Sequence, residues 1–152
     1  MSFSSNVKEE LSRNETSARH CRLAELAGFL KFCGEIRKED GQYSIKIHTE
    51  MVYVAKRFYT LVKKVFGIQA RIEISRNDFL KKSRNYTVSI DNHPDCVLLL
   101  KAVKLLEHED FGLVLQNTCC KRAHIRGAFQ AAGSMSDPEK NYHFEIVSTD
   151  KK

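Results

Sequence analysis

Two stretches decide the reading of this chain: Leu26-Ala27-Gly28-Phe29-Leu30-Lys31-Phe32-Cys33-Gly34 and Ile125-Arg126-Gly127-Ala128-Phe129-Gln130-Ala131-Ala132-Gly133. Superposed at an offset of 99 residues, they align Gly28 with Gly127 and Gly34 with Gly133. The match extends back through Leu26 and Ile125, Ala24 and Ala123, and Arg22 and Lys121, to Cys21 and Cys120. This is an internal repeat. Each copy has helical apolar spacing with a glycine well inside it, where glycine costs about 1 kcal/mol relative to alanine. Close approach of two helix backbones offsets that cost, because a missing side chain lets the axes come nearer than large residues allow. The spacing therefore predicts two helices packed on each other about a pseudo-twofold axis, with Ala27, Gly28, Arg126 and Gly127 at the pairing positions.

Around this pair the pattern alternates between helix and hairpin. Residues 6–12 read as a short docking helix, with Asn6 as cap, Glu9 three residues on, and Phe3, Val7 and Leu11 on one apolar edge. Thr16 or Ser17 is placed to cap the first motif helix, which runs to Phe32 before Gly34 stops it. Segments 34–38 and 42–48 form a hairpin turned by Glu39-Asp40-Gly41. Tyr43, Ile45 and Ile47 alternate there with Ser44, Lys46 and His48, the pattern of a sheet covered on one face. Its polar face is left for solvent or a ligand.

A helix over 50–66, ended by Gly67, leads to a second hairpin of 68–76 and 86–90. Ile68, Ala70, Ile72 and Ile74 are expected to point inward beside Tyr86, Val88 and Ile90. The connection 77–85 is long and basic, and a loop of that length is often functional. Asp91 or Asn92 with Pro94 opens a helix whose apolar side runs from Val97 to Leu106. A linker over 107–117 follows; its string Asp110-Phe111-Gly112 lacks the glycine-rich and catalytic loops that give it meaning in kinases. Thr118 or Asn117 caps the second motif helix, and the turn Ser136-Asp137-Pro138 with a strand over 142–148 begins a second repeat. The expected organisation is a docking helix (1–15), a first repeat (16–110), and a linker with a truncated second repeat (111–152). A half-sheet short of strands has an open edge, which favours self-association.

With 152 residues, a single domain with a real core needs neither metal nor disulfide. No run reaches the eighteen apolar residues of a membrane span, and no secretory signal pattern opens the chain, so a cytoplasmic location is expected. The net charge is +6, and nine Lys or Arg against Glu73 and Asp78 between Lys56 and Arg84 account for the whole excess. A basic region of this kind attracts phosphate backbones or acidic partners, unless it is simply a solvated face.

Active-site chemistry is hard to assemble from the sequence. The five cysteines have no Cys-x-x-Cys spacing and read as reduced, mostly buried thiols. Cys120 and His124 stand at i, i+4 without further ligands nearby in sequence, so no metal or cofactor is expected. No glycine-rich phosphate loop follows a strand.

The two motif stretches resemble the LAGLIDADG motif of homing endonucleases, in which paired helices sit at the centre of a saddle of antiparallel strands. That resemblance implies an α+β fold built from repeats of helix, two strands, helix, two strands and helix. It also implies an acidic residue at the eighth motif position to hold the divalent ion for DNA cleavage. Here those positions carry Cys33 and Ala132. Hard divalent ions require oxygen ligands, so hydrolysis built on these feet is not available.

Together with Ser2-Phe3-Ser4-Ser5-Asn6-Val7-Lys8-Glu9-Glu10-Leu11 and the stretches from Lys121 to Phe129 and Ser136 to Lys140, the pair is similar to the WhiA family of bacterial sporulation and cell-division regulators. In that family a degenerate LAGLIDADG scaffold precedes a helix-turn-helix domain. The resemblance implies a non-catalytic domain of a transcription regulator whose strands face double-stranded DNA. Candidate contacts are Arg37, Lys46, His48, Arg71, Lys81, Lys82 and Arg84, chiefly to phosphate and therefore weak and salt-dependent. The alternatives are a protein-interaction module that has lost DNA binding, docking a partner or a helix-turn-helix domain, and a residual metal-dependent endonuclease.

Overall fold

A computed structural model describes residues 3–13, 18–77, 83–103, 118–135 and 143–147. Within them the chain runs α1 (Phe3–Ser12), α2 (Arg19–Cys33), β1 (Gly34–Glu39), β2 (Gln42–Thr49), α3 (Val52–Phe66), β3 (Arg71–Asn77), β4 (Ser83–Ile90), α4 (His93–Ala102), α5 (Thr118–Ala132), β5 (Gly133–Met135) and β6 (Phe144–Ile146). β1 to β4 form one antiparallel sheet in the order β1-β2-β4-β3, and β5 pairs with β6 in a second. This is the α+β LAGLIDADG-type saddle, with α2 and α5 at its centre.

Local chemistry accounts for most of the joints. Asp40 and Gly41 both have positive φ, 51° and 76°, so the β1–β2 hairpin closes through a two-residue turn of the hand that matches strand twist. Gly67, at φ 70°, ends α3 by donating its N–H to the carbonyls of Lys63 and Val62. Asn92 caps α4 through its side chain, which accepts from the N–H of Asp95 at 3.1 Å, and Pro94 occupies the first turn. The core joins Leu26, Phe29 and Leu30 of α2 to Ile45, Ile47, Val88 and Ile90 of the sheet, Phe58, Leu61 and Val62 of α3, and Leu99 and Leu100 of α4. The Phe29 and Phe58 rings meet edge to face at 5.6 Å.

Several sequence expectations need correction. α1 begins at Phe3, so Asn6 is inside the helix and does not cap it. Tertiary contacts hold that first turn: Ser4 Oγ donates to the Met135 carbonyl at 2.8 Å, and the Tyr53 hydroxyl donates to that of Ser5 at 2.8 Å. The N-cap of α2 is Ala18, which makes no side-chain cap; Thr16 and Ser17 lie outside the described residues. Thr118 is the first helical residue of α5 rather than its cap, and Asn117, the other expected cap, lies outside the described residues.

β3 starts at Arg71, and Ile72 and Ile74 are exposed, the latter at 63%. They do share a face with Val88 and Tyr86, but β3 is an edge strand. Among the described residues the helices pack chiefly on the two central strands, and Ile36 of the opposite edge is likewise exposed. β4 is longer than the pattern suggested, starting at Ser83, whereas β3 is shorter, running from Arg71 to Asn77. Residues 78–82 between them are outside the described set, as are 104–117, the turn 136–138, and most of the segment flanking β6.

Candidate nucleic-acid interface and the helix pair behind it

The pairing of α2 with α5 is backbone on backbone. A Cβ added at Gly28 would collide with the His124 carbonyl oxygen and lie 2.7 Å from the Ala128 nitrogen. One added at Gly127 would collide with the Glu25 carbonyl oxygen. Glu25 and His124 are themselves separated by the repeat offset, so each glycine meets the equivalent backbone of the other helix. The pseudo-twofold axis passes between them.

Beside this contact lies a residue that the sequence pattern does not single out. Glu25 is completely buried. Arg57 of α3 grips its carboxylate in bidentate fashion, with Nε to Oε2 and Nη2 to Oε1 both at 2.8 Å. Arg126 donates Nε to Oε1 at 2.9 Å, and Gln130 donates Nε2 to Oε2 at 3.0 Å. One carboxylate thus ties α2, α3 and α5 together. Its signal in the sequence is faint: an acid on an otherwise apolar stretch of α2, with its partners 32 and 101 residues away. Arg126, read as a pairing position, acts there through this ion pair rather than through small size.

At the feet of the two helices the endonuclease chemistry does not fit. Burial pushes the Cys33 thiol up to about 12, so it stays protonated, and Ala132 offers only a methyl. Lys8 of α1 reaches into this region, its Nζ 5.8 Å from the centre of the Phe129 ring, and burial lowers its pKa. Lys8, His48, Thr49, Glu50, Met51, Asn85, Gln130 and Ala131 surround an open recess of about 270 Å³ there. The feet themselves thus give a thiol and a methyl beside a cation in place of the paired carboxylates that hold magnesium, and Glu50 is the one carboxylate among the described residues lining the recess.

The open face of the four-stranded sheet carries the expected DNA contacts that can be described. One cross-strand row is Glu35, Lys46, Ser89 and Arg71; the next has His48, Thr87 and Glu73, and Arg37 faces Ser44. Acids are interleaved with the cations. Glu35 pairs with Arg37 at 2.5 Å and with His48 at 3.2 Å, and these two partners hold its pKa below the ordinary carboxylate value, the His48 contact contributing most. Arg71 is held by Glu73 at 2.9 Å and by Asp91 at 3.0 Å. Lys81 and Lys82 lie outside the described residues; the backbone of Arg84 lies in β4 opposite Arg76. Cys120 and His124 do not converge, because His124 donates Nδ1–H to the Ala24 carbonyl at 3.3 Å. Nor is every cysteine buried filler: Cys119 is exposed, with its Sγ 3.3 Å from His20 Nε2, a contact that lowers the thiol pKa.

A glycine-paired helix core over a four-stranded antiparallel sheet, with its motif feet stripped of acids, defines a degenerate LAGLIDADG-type domain. The chain belongs to the WhiA family. The WhiA N-terminal LAGLIDADG-like domain profile matches residues 19–106, and the WhiA LAGLIDADG-like domain profile matches residues 121–152. A probable cell division protein WhiA of Lachnoclostridium phytofermentans is 46% identical over 99% of this chain and 51% of its own length. One of Alkaliphilus oremlandii is 38% identical over 97% of this chain and 50% of its own. The chain therefore spans about half the length of these curated relatives. The crystal structure of full-length DUF199/WhiA from Thermatoga maritima shares the fold with TM-score 0.72 at 21% identity, covering 99% of this chain and 46% of that one. The crystal structure of an N-terminal LAGLIDADG domain of DUF199/WhiA does so with TM-score 0.73 at 22% identity, covering 99% of this chain and 68% of that one. Among the described residues no helix is long and apolar enough to cross a membrane.

Proposed function

We propose that this chain is a non-catalytic, DNA-associated scaffold of a bacterial WhiA-like transcription regulator linked to cell division and sporulation, working in the cytoplasm at the nucleoid. The observation that carries the reading is the open sheet face, where Arg37, Lys46, His48 and Arg71 share one solvent-facing surface. Lys81 and Lys82, next to β4 in the sequence, and Arg84 within it are proposed to add to this basic set. Such cations grip phosphate, fixing position on a duplex while reading little sequence. The non-catalytic reading is supported by the motif feet, where Cys33 and Ala132 beside Lys8 supply no carboxylate for a divalent ion.

The interleaved Glu35, Glu73 and Asp91 favour a second reading, in which the face docks a protein or a helix-turn-helix domain and no longer binds DNA. Fluorescence anisotropy of short duplexes, at low and moderate salt without metal, separates the two. The scaffold reading expects binding that is insensitive to sequence and weakens steeply with salt. No binding at low salt refutes it. Nicking of the duplex that requires magnesium and stops with chelator would refute the non-catalytic part.

A further inference from the structure

We propose that His20, Cys21, Cys119 and Cys120 form a site for one thiophilic divalent cation of the zinc class, joining the N-terminal ends of the two motif helices. Their four donor atoms, one imidazole nitrogen and three sulfurs, all lie within 4.8 Å of one another. Zinc–sulfur and zinc–nitrogen bonds of about 2.3 and 2.0 Å set the donor atoms of a tetrahedral site about 3.5 to 3.8 Å apart. His20 Nε2 and Cys119 Sγ already stand at 3.3 Å, so closure asks for side-chain shifts of about 1 Å at the remaining pairs.

The donor chemistry is selective. Three thiols and an imidazole suit zinc and exclude magnesium or calcium, which take oxygen. The position is distinct from the motif feet, since α2 and α5 begin at Arg19 and Thr118 and reach Cys33 and Ala132 only at their far ends. The arrangement repeats the molecule's own symmetry, because His20 and Cys119, like Cys21 and Cys120, are equivalent positions of the two helices. Each helix contributes two adjacent donors from its first turn.

Burial pushes the Cys21 thiol up to about 11, whereas contact with His20 lowers the exposed Cys119 thiol, so a bound metal has to draw off the Cys21 proton itself. The N-terminal ends of both helices lie at the cluster, and a helix N-terminus carries positive dipole. Arg22 and Lys121 follow the two ligand pairs in the chain. Three thiolates and a divalent ion leave a net charge of about −1, which these groups offset. Binding would clamp the helix pair at the end opposite its feet, and its free energy would add to that of the fold.

The test uses the full chain, reduced and freed of metal, titrated with zinc against a chromophoric chelator and with cobalt(II) as a spectroscopic probe. One equivalent is expected, with sulfur-to-cobalt charge-transfer absorption and a rise in Tm on zinc addition. His20→Ala and Cys119→Ser alter exposed positions, so the metal-free fold should survive, which circular dichroism checks. Each should weaken zinc at least about tenfold. Zinc affinity unchanged in both variants overturns the proposal. So does cobalt binding without the sulfur band, a result the unmutated chain gives whether or not the variants fold.

Discussion

Two carboxylates in this molecule each stand between two basic side chains, and their surroundings make them different objects. Glu25 is buried between α2, α3 and α5, where Arg57 and Arg126 are 11% and 14% exposed. Glu35 lies on the open sheet face, 37% exposed, between Arg37 and His48, both more than half exposed. In the dry interface an unpartnered charge is costly, so each member of the cluster constrains the others and the three helices can meet in one arrangement. On the wet face water replaces any partner at little cost, and the same pairing leaves the cations available to phosphate. One site specifies structure, and the other remains free to exchange partners.

The strongest way to break this contrast is Glu25→Ala, which removes the carboxylate from between Arg57 and Arg126. It should destabilise the fold by about 3 to 5 kcal/mol in urea denaturation. A cost under about 1 kcal/mol would mean the network is solvated in solution. Gly127→Val attacks the same interface through shape, driving a branched side chain into the Glu25 backbone; a loss of about 3 kcal/mol is expected, with Ala27 and Gly28 sensing the same displacement in amide exchange.

On the open face, Arg37→Ala with Lys46→Ala should leave the urea midpoint unchanged. It should lower the slope of log affinity for DNA against log salt by about 2, one for each phosphate no longer neutralised. Glu35→Gln sharpens the point in the opposite direction: no measurable stability change, but tighter DNA binding at low salt, because an acid that competes with phosphate for Arg37 and His48 is gone. Equal DNA affinity in both variants would remove this face from the interface.

The smallest expected effect is a pH dependence of the helix pair. Burial holds the His124 pKa below its ordinary value of 6.5, while its N–H donates to Ala24. The folded chain therefore refuses a proton that the unfolded chain accepts as pH falls below 6.5. This contribution to stability is complete above that value, declines as pH drops toward the folded pKa, and then levels off. Urea midpoints at about pH 7.5 and about pH 5.5 should differ less in His124→Gln than in the unmutated chain. An identical difference would assign the slope to other groups.

Much of this organisation was legible in the repeat. The glycines at 28 and 127 implied a close helix pair because only a missing side chain allows backbone contact, and the alternation of Ile45 and Ile47 with Lys46 and His48 implied a one-sided sheet. The same alternation misled at β3. Ile72 and Ile74 have the period of buried residues, but period reports which face a residue takes and not whether a helix covers it. For the candidate interface, sequence could assemble the cations but not the acids that hold them. Glu73 sits near Arg71 in the chain, whereas His48 reaches Glu35 only across the hairpin.

Periodicity, punctuation by glycine and proline, and the duplicated motif by themselves determined the α+β class, the order of helices and strands, the one-sided sheet and the loss of the acidic feet. These are local or self-similar signals, and they survive in a one-dimensional string. Only the tertiary structure decided that Glu25 would be the ionic centre of three helices, that Lys8 would enter the space between the feet, and that His20 and Cys21 would face Cys119 and Cys120. Each of these joins residues far apart in the chain, and what each side chain does depends on dielectric and distance, which sequence spacing does not encode.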